Sequence, residues 1–347
     1  MLYLAHIIQA TPYDVSNFRP LSMLSGFSKI IERVMYQRLY KFLIKNRILV
    51  NAQNGFRKNK STETAIFNFL QLVLNSINRK ELNCGLFLDL SKAFDVIDHK
   101  LLLRKLYAYG IRGVAHKWFE SYLSDRYQKV EMSQADRTYS SRFERVLYGV
   151  PQGSVLIFIN DLPSQLSEAE AVLFADDTSL FVKANSEADL QEKVTLATDE
   201  ADRWFNENRL IVNAKKTTWI NFRHITNKIK TNLTVELGKC KIEQASYTKF
   251  LGVWFDEHLR WEKHLISLNK KLSQTCYILR MLKSSCNIKT VICFLKEHEE
   301  FSTLNREFHN YETRNRNDFH REIHKTAMYH KSVLYQPKIS TVLSPKN

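Results

Sequence analysis

The chain is poor in cysteine. Its five cysteines, Cys84, Cys240, Cys276, Cys286 and Cys293, include no CxxC pair and no zinc spacing among 347 residues. That argues against a disulfide framework and a structural zinc site, and it suggests a reducing compartment. No stretch approaches the eighteen or so uninterrupted apolar residues of a membrane span, so none is expected. The opening MLYLAHII is apolar but lacks a basic leading region and a clear cleavage site. The protein therefore reads as intracellular, neither secreted nor transmembrane, with nucleus and cytoplasm undistinguished. No internal repeat is visible. Glycine is missing from residues 294–347, a polar stretch of weak periodicity that carries Pro337 and Pro345. A poorly packed or partly disordered tail is expected there. His320 and His324 lie four apart, but without further ligands they read as a solvated helix face. Acidic residues are also short, 36 Asp and Glu against 51 Lys and Arg, for a net charge of +15. Such a surface attracts polyanions, nucleic acid first among them.

What is present is concentrated in two acidic strand ends. Asp176 and Asp177 follow Phe174 and Ala175 between the apolar runs AVLF and SLFV, which places two carboxylates at the tip of a β-hairpin. Like charges there repel unless water screens them or a cation lies between them. A second acid overturns the reading of a plain solvated turn. Cys84 to Leu90 is a nearly continuous apolar run that reads as a buried strand, with Asp89 near its end. Ala93, Phe94, Ile97, Leu101 and Leu102 then recur at helical spacing, so Asp89 sits where a strand passes into a turn or helix. Asp89 beside Asp176 offers hard oxygen ligands of the kind magnesium takes together with phosphate oxygens, and a two-metal phosphoryl transfer site fits this inventory.

Other segments carry weaker signals. Phe27, Ile30, Ile31, Val34, Met35, Leu39, Phe42 and Leu43 line one stripe of a long helix. Pro20 marks where a strand or loop must finish, and Arg19 beside it is a candidate phosphate clamp. Ser61 is placed to cap a helix through Ile66, Phe69, Leu70 and Val73. Arg57, Lys58 and Lys60 either contact a template backbone or solvate a loop. GVPQGSVL, residues 149–156, reads as a tight turn whose backbone can approach a ligand.

In order, NFRPLSMLSGFSKIIERVMYQRL, NGFRKNKST, LFLDLSKAFDVIDHKLLLRKL, GVPQGSVL, INDLP, FADD, LIVNAKKTTWINF and YTKFLGVWFD resemble the reverse transcriptase of non-LTR retrotransposons, most closely the jockey type. The resemblance covers about residues 13–280. It implies an α+β fold, the palm and fingers of a right-hand polymerase with a truncated helical thumb. Fingers would occupy residues 1–80, palm 81–255 with finger-like insertions, and a thumb remnant 256–293. By the same resemblance Asp89, Asp176 and Asp177 would hold two magnesium ions, with manganese as the alternative. Lys216 would protonate departing pyrophosphate. Arg19, Phe94, Gln152 and Gly153 would contact the incoming deoxynucleotide, Phe94 as a steric gate that is compatible with an ordinary core aromatic. Phe250, Leu251, Gly252 and Val253 would form the primer grip, and Arg57, Lys58 and Lys60 would meet the template. The implied partners are an RNA template, a DNA primer and deoxynucleotides, with no membrane and no endonuclease domain in this chain.

Departures from the pattern are equally specific. Relatives read something like PQGSVLGPLLFLIYINDLP where this chain has PQGSVLIFINDLP, so about six residues are missing after Leu156, and at about 100° per residue the chain beyond the gap is turned by about 240°. MLYLAHIIQAT has no lysine or arginine where relatives carry a lysine, and after about Ile292 the chain passes to HNYETRNRNDFH, which resembles a segment found farther downstream. Two functions are expected from this: an RNA-directed DNA polymerase, or a catalytically inactive retrotransposon relic that only binds nucleic acid.

Overall fold

A computed structural model describes residues 2–7, 18–23, 26–90, 93–134, 137–150, 155–227 and 231–285. Along the chain come strands β1 (Leu2–Ile7) and β2 (Phe18–Met23), then helices α1 (Gly26–Lys45) and α2 (Thr62–Asn78). Next are β3 (Leu82–Leu88), α3 (Ala93–Val96), α4 (His99–Ala108) and α5 (Gly113–Leu123). Strands β4 (Tyr127–Gln134), β5 (Arg137–Ser140) and β6 (Glu144–Arg145) precede the single turn α6 (Val155–Phe158) and a 3-10 turn at Leu162–Gln165. The hairpin β7 (Glu170–Phe174) and β8 (Asp177–Ala184) leads into α7 (Glu187–Glu207). Short strands come next: β9 (Thr218–Ile220), β10 (Glu236–Leu237), β11 (Cys240–Lys241), β12 (Glu243–Gln244), β13 (Tyr247–Phe250) and β14 (Val253–Asp256). Helix α8 (Glu262–Ser285) belongs to a second compact unit that begins at Trp261.

The fold is α+β. A central sheet runs in the order β12-β9-β3-β8-β7, with β3 antiparallel to both β8 and β9. The period-two alternation of β3 and β8 sorts their side chains onto two faces. Cys84, Leu86 and Leu88 join Leu180 and Val182 in the core shared with α7, which buries Leu190, Val194, Ala197, Ala201, Trp204 and Phe205 at helical spacing. On the other face, the Phe69 ring of α2 stands 5.0 to 6.0 Å from the rings of Phe87, Phe181, Phe222, Phe250 and Phe255. Gly85 lies beneath these rings. A Cβ there would come within 2.7 Å of Phe222 and 3.0 Å of Phe69, so close aromatic packing requires its bare backbone.

Three details differ from expectation. Pro20 lies inside β2, paired with Ala5, instead of ending a strand. β2 is an edge strand, where half the N–H groups point away from the sheet and a proline costs no ladder bond. The helical run expected from Ala93 onward is two helices, α3 and α4, divided at Asp98. Asp98 is the amino-terminal cap of α4, its Oδ1 accepting the N–H groups of Lys100 and Leu101 at 2.8 and 3.0 Å. The apolar stripe of α1 buries only Leu43 fully, while Phe27 stays 82% exposed. Ser61 does cap α2, exchanging hydrogen bonds with Thr64 in a capping box. Cys84, Cys240 and Cys276 are free thiols, and Cys286 and Cys293 lie outside the described residues. The expected disordered tail, with His320 and His324, lies outside them as well. Among the described residues no helix is long and apolar enough to cross a membrane.

Candidate active site

The site begins at the β7–β8 turn. Phe174 pairs with Asp177, so Ala175 and Asp176 form a two-residue hairpin loop. Ala175 has φ +56°, a left-handed conformation at the first loop position, where two-residue turns of this kind usually place glycine. Asp176 fills the second position, and Asp177 is the first residue of β8, on the same face as Ser179 and Phe181. The last pair of the β3–β8 ladder is Leu88 with Thr178, so Asp89 follows directly where Asp177 stands on the neighbouring strand.

Asp89 is tied on both sides of its peptide. Its N–H donates to Thr217 Oγ1 at 3.3 Å, and its carbonyl accepts the Asn213 N–H at 2.8 Å. The three acids interact: although Asp177 keeps an exposed surface, partial desolvation of its carboxyl, followed by the charges of Asp176 and Asp89, pushes it up to about 6. No group of three or more His, Cys, Asp or Glu among the described residues is set to hold a metal on protein ligands alone. Magnesium sites of the phosphoryl-transfer kind need less, one or two carboxylates completed by water and substrate phosphates. The donor chemistry here fits such an ion.

A partly buried loop braces the turn. Residues 50–55 run along β7, with Gln53 opposite Leu173 in a parallel bridge. The Asn54 N–H donates to the Leu173 carbonyl at 2.7 Å, and the Leu173 N–H to the Ala52 carbonyl at 2.9 Å. Gln53 and Asn54 are fully buried. Gln53 Oε1 accepts from the N–H groups of Gly55, at 2.7 Å, and Ala175, at 3.1 Å, while its Nε2 donates to the Ala175 carbonyl at 3.4 Å. Gly55 lies so near that an added Cβ would stand 2.3 Å from the Ala175 nitrogen. Asn160 holds the start of the loop, accepting the Val50 N–H at 3.0 Å and donating to the Ile48 carbonyl at 2.9 Å.

The remaining expected residues fall in three groups. Arg57 and Lys60 turn inward: Arg57 donates to the carbonyls of Val50 and Gln53 at 2.7 and 3.1 Å, and Lys60 to those of Asn51 and Gln53 at 2.5 and 3.3 Å. Burial, then the Arg57 charge, lowers the Lys60 pKa. Lys58 is exposed. Lys216 is also exposed, in the turn whose Asn213 bonds to Asp89. Phe250 to Val253, the residues expected to form the primer grip, make the turn of a hairpin, with Leu251 at φ +47° and Gly252 at φ +91°, the paired positive angles of a type I′ turn. Phe250 packs 5.5 Å from the Phe87 ring, and the Thr218 and Thr248 hydroxyls lie 3.1 Å apart, so the hairpin stands on the face that carries Asp177. Arg19 lies in β2 opposite His6 and Phe94 in α3, but the side chains of both are outside the described residues, as are Gln152 and Gly153 altogether.

Sequence reasoning missed Gln53, Asn54, Gly55, Asn213 and Thr217. For Gln53, Asn54 and Gly55 the signal was a cluster of amide residues and glycine directly after the apolar ILVNA, in a segment read for its basic residues; Asn213 and Thr217 flank the Lys216 turn of LIVNAKKTT, which was read only for its lysine.

Comparison with known proteins gives this geometry a family. The model for "Reverse transcriptase (RNA-dependent DNA polymerase)" matches residues 10–255. The probable RNA-directed DNA polymerase from transposon BS of Drosophila melanogaster is 32% identical over 289 residues, covering 77% of this chain and 30% of that protein. The RNA-directed DNA polymerase from mobile element jockey of the same species is 26% identical over 285 residues, covering 78% of this chain and 30% of that protein. The chain thus spans about 30% of the length of these curated relatives. Among solved structures, a telomerase from Candida albicans superposes with a TM-score of 0.44 at 13% identity, over 74% of this chain and 44% of that one. The match runs through both acidic strand ends and the hairpin beside them, and the chain belongs to the reverse transcriptase family, in the company of the jockey-type polymerases of non-LTR retrotransposons.

Proposed function

We propose that this chain is the polymerase module of an RNA-directed DNA polymerase. A primer 3′-hydroxyl attacks the α-phosphorus of a deoxynucleotide, the new O–P bond forms as the bond to pyrophosphate breaks, and the hydroxyl proton passes to solvent water. The observation that carries the reading is the meeting of Asp89, Asp176 and Asp177 at adjoining strand ends, close enough that the Asp177 carboxyl feels both other charges.

Asp89 and Asp176, with Asp177 as a less direct third, would hold the divalent ions. Bound there, two magnesium ions supply charge stabilisation for the attacking and leaving oxygens. The protein's own part is positioning. The loop bonds to Thr217 and Asn213 fix Asp89, and the β7–β8 turn fixes Asp176. Lys216, which is exposed, would give a proton to the departing pyrophosphate. Arg19, Phe94, Gln152 and Gly153 serve the nucleotide, and the Phe250–Val253 hairpin holds the primer end. Lys58 meets the template backbone directly. Arg57 and Lys60, engaged with main-chain carbonyls, shape the same surface. The net charge of +15 favours a polyanionic template and primer. In domain terms, residues 1–80 are fingers, 81–255 palm and 256–293 the remnant of a thumb.

A second reading, a nucleic-acid-binding protein without catalysis, is favoured by α6, which is a single turn of four residues at the place where the sequence departs from the pattern it resembles. Primer extension on poly(rA)/oligo(dT) with magnesium, beside an Asp176→Ala, Asp177→Ala double variant, separates the two. Incorporation that vanishes in the variant establishes the polymerase. Salt-sensitive RNA binding without incorporation in either protein establishes the second reading.

A further inference from the structure

We propose that Gln53 is a positioning residue for the catalytic turn, acting through Ala175 on Asp176. The inference rests on the polymerase reading of the same acids. A two-residue turn has little to hold its shape beyond its flanking ladder, and this one places alanine where the left-handed backbone favours glycine. An alanine at φ +56° persists only if its surroundings determine it. Gln53 does so from a fully buried position, accepting the Ala175 N–H at 3.1 Å and donating to the Ala175 carbonyl at 3.4 Å. One side-chain amide thus grips both sides of the residue that sets the direction of Asp176.

The grip is itself braced. Gln53 Oε1 also takes the Gly55 N–H at 2.7 Å, and the Gln53 carbonyl accepts from Arg57 at 3.1 Å and Lys60 at 3.3 Å. Asn54, with its N–H on Leu173 at 2.7 Å, fixes the register of the loop against β7. The basic residues expected to face a template therefore also stiffen the loop that orients the acids. Charge at the surface and geometry at the centre are linked through one peptide unit.

The test uses the whole chain in four forms: wild type, Gln53→Met, which fills the space without hydrogen bonds, Gln53→Glu, compared with wild type at about pH 5, where a fully buried carboxyl is protonated and keeps both the acceptor for the Gly55 and Ala175 N–H groups and a donor to the Ala175 carbonyl, and Val73→Ala, a core change in α2. Amide hydrogen exchange is followed at residues 173–177 and, as reference, at 180–182. Mn2+ binding is followed by electron paramagnetic resonance with dTTP and a dideoxy-terminated oligo(dT) on poly(rA). Gln53→Met is expected to speed exchange at the turn about tenfold, the worth of one or two buried hydrogen bonds, without changing residues 180–182. It is also expected to raise the Mn2+ concentration for half-saturation about tenfold, with Gln53→Glu staying within about threefold of wild type in exchange. Turn exchange in Gln53→Met at the wild-type rate, or equal loosening by Val73→Ala, overturns the proposal. If Gln53→Met fails to fold, loss of turn protection in Gln53→Glu overturns it and retention supports it. If wild type takes up no Mn2+, the polymerase reading fails, while the exchange comparison still decides the role of Gln53.

Discussion

Gly55→Ala is the smallest change that would drive the bracing loop away from the β7–β8 turn. The added Cβ would lie 2.3 Å from the Ala175 nitrogen, 3.0 Å from its Cα and 3.1 Å from the Phe174 carbonyl carbon. All three are main-chain atoms, so no rotamer change relieves the overlap, and either the loop or β7 must shift. Overpacking of this kind costs about 1–3 kcal/mol. The shift also stretches the Asn54-to-Leu173 and Gln53-to-Ala175 hydrogen bonds, now 2.7 and 3.1 Å, at about 1 kcal/mol each. The sum is about 3–5 kcal/mol, which for a unit of this size lowers the melting temperature by about 10 °C. Gly26→Ala is the control, since nothing lies within 4 Å of its added Cβ. Thermal unfolding followed by circular dichroism compares the two. A Gly55→Ala protein melting within about 2 °C of Gly26→Ala would refute the close approach of loop and turn.

Other perturbations probe the scaffold around the site. Burial pushes the Asp98 carboxyl up, but the N–H groups of Leu101 and Lys100 and the Arg209 guanidinium outweigh it and hold the group below its usual value. Its stabilisation is therefore present above the unfolded carboxyl value of about 3.9 and lost as pH falls through the lower folded one. Asp98→Ala should cost about 1–2 kcal/mol at pH 7 in urea titrations, and the gap to wild type should narrow below about pH 4. A gap that does not change with pH would contradict this. Lys105 Nζ bonds the Phe158 carbonyl at 2.8 Å and both Asp161 oxygens at 2.7 and 2.8 Å, joining α4 to the segment that carries Asn160. Lys105→Met should cost about 3 kcal/mol by leaving those acceptors unpaired, and a loss below about 1 kcal/mol in the same titration would show that solvent replaces the amine. Phe250→Ala removes a ring within 5.6 Å of Phe69 and 5.5 Å of Phe87, and a melting curve should show a loss of about 3–5 kcal/mol. Stability close to wild type would mean that the hairpin packs only loosely on the sheet.

The acids and their strands were legible because both periodicity and charge marked them. The apolar run ending at Asp89 and the runs flanking Asp176 and Asp177 could be read as strands without any long-range information. The parallel contact of Gln53 with Leu173 could not, since it joins residues 120 positions apart and leaves no periodic trace. Arg57 and Lys60 show the opposite limit. Their charge suggested a partner outside the chain, whereas the nearest acceptors are carbonyls a few residues back in the same loop. Pro20 was a local signal assigned the wrong consequence, and Asp98 was a capping residue passed over in favour of the apolar spacing around it. An edge strand admits proline, and a capping aspartate divides a helical run that spacing alone makes continuous.

The central claim is that Asp89, Asp176 and Asp177 form one nucleotidyl-transfer centre, and Asp89→Asn tests it most directly. Asparagine preserves the size of the side chain and the main-chain bonds to Thr217 and Asn213 while removing one charge from the cluster. Single-nucleotide addition of dTMP to oligo(dT) on poly(rA) should proceed with wild type and magnesium and fall at least about a hundredfold in the variant, with binding to the template–primer unchanged. Equal rates in the two proteins would contradict the account.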